Sequence, residues 1–84
     1  MNKCRKLLNA ARRSQKNLRF SDLCKLAECY GWTFKRQDGS HKIYENGRLT
    51  PEQGRIMNFQ DHQGKAKPYQ VTQLLNAIDN LGDE

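Results

Sequence analysis

The chain has 84 residues, of which 36% are hydrophobic, so it has room for one small domain with one thin core. Its formal net charge is +6, and the charge is uneven: residues 1–20 hold seven lysines and arginines and no acid, while the remainder holds eight bases against nine acids. Such a balance points to an acidic partner, most simply nucleic acid, and disfavours a membrane span, since no apolar run approaches the needed length.

Residues 3–14, KCRKLLNAARRS, read as a short basic helix with a narrow stripe of Leu7, Leu8 and Ala11. Two leucines pinning a solvated helix account for this pattern without any contact to RNA. The N-terminus is charged and lacks a clean apolar stretch, so no signal peptide is expected. After the polar connection Ser14–Arg19 comes Phe20–Tyr30, FSDLCKLAECY, a second helix. Ser21 suits its N-cap, and Asp22 suits the first turn. Leu23, Leu26, Ala27 and Tyr30 recur at helical spacing, and Gly31 is placed to end the helix.

Cys4, Cys24 and Cys29 are odd in number and follow no recognised spacing. Cys24 and Cys29 fall on different sides of one helix, so free thiols in a reducing cytoplasm are expected. No CxxC or HxxxH pair offers a zinc site.

Trp32–Gln37, WTFKRQ, alternates as a strand, with Trp32 and Phe34 on the core side. Asp38-Gly39 is a strong hairpin signal, and Ser40–Tyr44 is the returning strand. Residues 45–54 are rich in turn formers and read as a loop. Arg55–Gln60 alternates again, with Ile56, Asn58 and Gln60 set against Met57 and Phe59. Asp61–Lys67 is a polar, partly basic loop. Pro68 then opens a helix whose face carries Val71, Leu74, Leu75, Ile78 and Leu81. The order is helix, helix, three antiparallel strands, helix. The class is therefore α+β, with helices over one sheet face and the other face free for a partner.

His41 stands just after the sharp turn, at the start of a strand. An imidazole takes or gives a proton near neutral pH. RNA cleavage uses both: a base for the 2′-hydroxyl, an acid for the leaving 5′-oxygen, and cations to steady the phosphorane. Lys35, Arg36 and Lys42 lie near His41 in sequence, and Lys65 and Lys67 precede a helix start that suits phosphate. These ingredients fit a small basic ribonuclease. They also fit a strand histidine that is only packed or solvated, and on spacing alone that reading is favoured. His62 reads as a solvated loop residue. Tyr44 and Tyr69 offer rings for base stacking, and Tyr69 is equally suited to packing on the sheet edge. Asp61, Glu45 and Glu52 form no carboxylate pair at metal-binding spacing, so a metal nuclease is disfavoured.

Leu18–Tyr44, LRFSDLCKLAECYGWTFKRQDGSHKIY, resembles the helix, strand, GSH, strand core of HicA-type toxins, the toxin half of a bacterial toxin–antitoxin pair. Asn58–Ile78, NFQDHQGKAKPYQVTQLLNAI, resembles the tail of one branch of that family, and GKAKPYQV (Gly64–Val71) is its most specific part. The resemblance covers most of residues 18–81. With the length pointing to one domain over 1–84, residues 1–17, outside the matched part, read as a basic helical extension of that core. It implies a fold similar to the double-stranded-RNA-binding domain. It also implies a cytoplasmic ribonuclease that cuts messenger RNA without metal or cofactor, and a HicB-type antitoxin as protein partner. The catalytic histidine of the motif maps to His41, supported by Gly39 and Ser40. Lys35, Arg36, Lys42, Lys65, Lys67 and Tyr69 are the expected RNA contacts. The alternative from a different class is a binding module of the same fold that grips RNA and cuts nothing.

Overall fold

Helix α1 (Lys3–Arg13) starts at Asn2, whose side chain accepts the Arg5 backbone N–H at 2.8 Å. The protein is described here by a computed structural model covering residues 2–82. Leu8 and Ala11 of α1 are buried, and Leu7 packs partly against the same core. The basic side chains of α1 are exposed, as a solvated helix requires, and Arg12 bridges to Asp79 at 2.8 Å.

Helix α2 (Phe20–Cys29) begins earlier than Ser21 would set it. Its N-cap is Arg19, with no side-chain cap bond. The reason is tertiary. Phe20 is drawn into the core, and its N–H donates to the Gly64 carbonyl at 3.0 Å. Ser21 is left exposed in the first turn. Leu23, Leu26 and Ala27 are fully buried, as the helical period predicts. Gly31 closes the helix with φ 105°, a left-handed conformation that glycine adopts cheaply.

The expectation of three free thiols is overturned. Cys4 of α1 and Cys29 of α2 are joined in a disulfide across Cα atoms 5.7 Å apart. The pairing depends on how α1 lies along α2, which spacing does not reveal. Only Cys24 is free, and it is buried. Burial pushes its thiol pKa up, so it stays a protonated core residue. A cross-link spanning 25 residues of sequence contributes about 3 kcal/mol by restricting the unfolded chain. Cys4→Ser is therefore expected to lower the melting temperature by more than about 10 °C. A dithiol reductant should lower the melt of the wild type to that of the variant and leave the variant unchanged.

The sheet has the order β1-β2-β3, all antiparallel, with β1 Thr33–Asp38, β2 His41–Glu45 and β3 Ile56–Gln60. A short 3-10 turn, Pro51–Gln53, interrupts the loop before β3, capped reciprocally by Thr50 and Gln53. Helix α3 (Pro68–Leu81) buries Val71, Leu74, Leu75, Ala77 and Ile78. Helices α2 and α3 pack on the sheet, and α1 packs on those two helices; Tyr44, Met57 and Phe59 belong to the same core. Among the described residues no helix is long and apolar enough to cross a membrane.

Phe34 is the second correction. It is 50% exposed rather than core, and only Trp32 of the pair is buried. β1 is an edge strand, exposed along its whole length, and Phe34 lies edge-on to Tyr44 with ring centroids 5.7 Å apart. The register also shifts between Phe34 and Arg36, so Lys35 is an extra residue in the ladder. That bulge reverses the alternation beyond it. Phe34 pairs with core-facing Tyr44, but Arg36 pairs with Ile43 on the opposite face.

Candidate active site

Gly39 and Ser40 are the two central residues of the β1–β2 hairpin, because Asp38 pairs directly with His41. Gly39 has φ 60° and Ser40 has no positive φ, the pattern of a II′ turn with glycine first. The turn therefore falls one residue later than Asp38-Gly39, and it places His41 at the first position of β2.

The pleat decides which way the histidine faces. Tyr44 is in the helix-covered core, and its hydroxyl donates to Glu28 of α2 at 3.3 Å. Lys42 lies over the Phe20 ring, also on the helix side. His41 and Ile43, one residue out of phase, belong to the open face. Across the sheet they stand opposite Gln60 and Asn58 of β3, and opposite Asp38 and Arg36 of β1. Ile43 is buried without belonging to the helix-side core, so it is shielded by its neighbours on the open face. His41 thus does not lean toward the helices, and it is partly exposed.

Its ring is oriented by a side chain that sequence reasoning did not name as part of the site. His41 Nδ1 lies 2.8 Å from Asn58 Oδ1. An amide oxygen only accepts, so Nδ1 carries the hydrogen and donates it. In the neutral ring Nε2 then holds the free lone pair, the form a general base needs. Period two in β3 already placed Asn58 on the exposed face. Only the strand register brings it against His41.

The remaining candidates divide between the two faces. On the open face Arg36 pairs with Asp38 at 3.0 Å, directly beside His41, and Lys35 approaches Glu45 at 3.9 Å. Glu45 also accepts from Arg55 at 2.9 Å, and that hydrogen bond, aided by the charges of Arg55 and Lys35, holds its carboxyl below the ordinary range. Lys42 is on the helix side, separated from His41 by the sheet. Its closeness in sequence therefore does not place it beside the imidazole.

Lys65, Lys67 and Tyr69 gather at the same end of the sheet as His41, since Gln60, which pairs with His41, donates its N–H to Gln70 Oε1 of α3 at 2.9 Å. The Asp61 N–H donates to the Ser40 carbonyl at 2.8 Å, tying the 61–67 loop to the hairpin turn. The loop is also held along residues 18–20, where Ala66 N–H donates to Leu18 O at 2.9 Å and Arg19 bridges to Lys65. Tyr69 is 58% exposed, so it does not pack on the sheet edge, and its hydroxyl accepts from Gln70 Nε2. Lys67 is the N-cap of α3 and provides no side-chain cap. His62 is exposed and joins Lys65 through backbone bonds only. Among the described residues no group of three or more His, Cys, Asp or Glu side chains is placed to hold a metal ion.

These features define a small basic α+β domain that presents one oriented imidazole on the open face of a three-stranded sheet, at the mouth of a tight hairpin. The family model described as HicA toxin of bacterial toxin-antitoxin matches residues 20–79. The chain belongs to the HicA toxin family, and so to the toxin side of toxin–antitoxin systems, which implies an antitoxin partner. The matched segment runs from α2 almost to the end of α3. It includes the hairpin and His41 and leaves α1, with Cys4, outside. No curated protein and no solved structure matches the chain.

Proposed function

We propose that the protein is a metal-independent endoribonuclease that cuts messenger RNA and so halts translation in the cytoplasm, with His41 as its catalytic residue. The observation that carries this reading is the 2.8 Å contact between His41 Nδ1 and Asn58 Oδ1, which orients a partly exposed imidazole by one nitrogen and leaves Nε2 for the substrate. His41 Nε2 removes the proton of a 2′-hydroxyl. The 2′-oxygen then forms a bond to the adjacent phosphorus as the phosphorus–O5′ bond breaks. The leaving O5′ takes a proton from the imidazolium or from water, so the products are a 2′,3′-cyclic phosphate and a 5′-hydroxyl. Arg36 and Lys35, on the open face, supply positive charge toward the phosphorane. Lys65, Lys67 and Tyr69 extend the contact along the same end of the sheet.

In this reading residues 18–81 form the catalytic unit, with a fold similar to the double-stranded-RNA-binding domain, and α1 is a basic extension packed on it through Leu8 and Ala11. A HicB-type antitoxin covers the open face, and acidic groups on it would complement the cations there. The second reading, a module that binds RNA without cutting it, is favoured by the surplus of exposed cations. The two separate in one assay. The ribonuclease reading expects messenger RNA incubated with the protein in EDTA to be fragmented. Intact RNA in a retarded complex would favour the binding module.

A further inference from the structure

On the helix side of the hairpin, behind His41, lies a cleft of about 440 Å³ that none of the chemistry above uses. It is lined by Phe20, Gln37, Ser40, Lys42, Asp61 and Gln63. The volume falls in the range of small-molecule clefts, but the lining is more polar than theirs, with Phe20 as its one aromatic side chain. Resting on the reading of the chain as an RNA-cleaving enzyme, we propose that this cleft is a nucleotide subsite. It takes one base and its phosphate from the RNA strand as that strand passes around the hairpin tip from the open face.

Three observations carry the inference. The first is Lys42. Lys42 is partly buried and makes no ion pair among the described residues, unlike Lys35 and Arg36 on the open face, which stand against Glu45 and Asp38. Its ammonium rests 5.7 Å from the centroid of the Phe20 ring, at the cleft. A partly buried cation with no direct ion pair, even with the Asp61 carboxylate across the cleft, has donors left for a phosphate.

The second observation is the acceptor pattern. Gln37 donates its amide N–H to the Gly39 carbonyl at 3.0 Å, so its Oε1 is left to accept. Asp61 Oδ1 accepts from the Gly64 N–H at 2.7 Å, which leaves Oδ2 to accept. Two such acceptors suit a base with an exocyclic amino group, and they disfavour uracil, which has none.

The third is distance. His41 and Lys42 are neighbours, about 3.3 Å apart along the strand, with side chains on opposite faces. The turn at Gly39–Ser40 ends the sheet there. A single strand crossing that edge meets the imidazole on one side and the ammonium on the other. The tethered 61–67 loop pairs Arg19 with Lys65, the chain neighbours of the lining residues Phe20 and Gly64.

The test uses full-length protein and 2′-O-methyl octanucleotides, which lack the attacking hydroxyl and are not cut. Binding is followed by fluorescence anisotropy for oligo-A, oligo-C and oligo-U over a range of salt. Lys42→Met keeps the aliphatic stem over Phe20 and removes the charge. It is expected to weaken binding about 5- to 10-fold at low salt, with a salt slope shallower by about 0.7. Wild-type protein is expected to favour oligo-A and oligo-C over oligo-U. Asp61→Asn retains Oδ1 for Gly64 and should remove that preference while leaving oligo-U binding within about twofold. Equal affinities of wild type and Lys42→Met, or no base preference in the wild type, would overturn the subsite. Messenger RNA cleavage is scored in parallel. RNA left uncut while both binding effects persist supports the subsite and removes the ribonuclease reading. Cleavage with neither binding effect overturns the subsite alone.

Discussion

His41→Ala is expected to reduce messenger RNA cleavage by about 10²–10⁴-fold, the usual contribution of a positioned acid–base group. The same variant should melt close to the wild type and bind non-cleavable RNA with nearly unchanged affinity. The fold is spared because the ring is partly exposed and makes one side-chain hydrogen bond, to an exposed asparagine. Its loss leaves no buried polar group unpaired. Affinity is spared because the cations proposed to grip phosphate are other residues, Lys35, Arg36, Lys42, Lys65 and Lys67. A variant that cuts as well as the wild type would remove His41 from the mechanism. A variant that loses affinity and cleavage together would make His41 a contact residue, not a proton carrier.

Trp32→Ala is expected to cost about 3–5 kcal/mol, a large share of the stability of a domain this small. Trp32 is 1% exposed, and its Nε1–H donates to the Gly54 carbonyl at 3.0 Å. That bond joins the entry of β1 to the turn before β3. The turn is tight against α3: Gly54 has φ 106°, and a Cβ there would stand 2.6 Å from the Cβ of Ala77. Truncating the indole opens a cavity and leaves that carbonyl without its donor. Trp32→Phe keeps most of the ring volume and loses the donor, so it should cost less, about 1–2 kcal/mol. Urea unfolding followed by far-ultraviolet circular dichroism measures both, since the only tryptophan is the residue removed. Equal stability of Trp32→Ala and wild type would mean that the packing around Gly54 does not depend on the indole.

The element order was legible because each element carries its own period. Leu23, Leu26 and Ala27 mark α2, Met57 against Ile56 and Asn58 marks β3, and Pro68 with Val71, Leu74 and Leu75 marks α3. All of them bury or expose as that period requires. Phe34 does face the helix side, opposite Tyr44, as period two requires, but it sits on an edge strand that leaves half of it uncovered; the bulge at Lys35 alters only the residues beyond it, and neither edge position nor bulge leaves a mark in an alternation that short. The disulfide was missed because the Cys4–Cys29 distance is fixed by helix packing, not by spacing. His41 stood out through its place after the turn. Asn58 did not, since it reaches the imidazole only through the β2–β3 register. The cleft behind Lys42 was hidden for a similar reason: it exists because the 61–67 loop is bonded to residues 18–20, a tertiary pairing that a polar loop sequence does not announce.

The central claim is that a 2′-hydroxyl, deprotonated at His41, attacks phosphorus without metal. The most direct measurement is the chemistry of the fragment ends, read by mass spectrometry after cleavage of a short RNA in EDTA. A 2′,3′-cyclic phosphate (or its hydrolysed 3′-phosphate) with a 5′-hydroxyl is the predicted result. A 3′-hydroxyl with a 5′-phosphate would contradict it, because water rather than the neighbouring hydroxyl would then be the nucleophile.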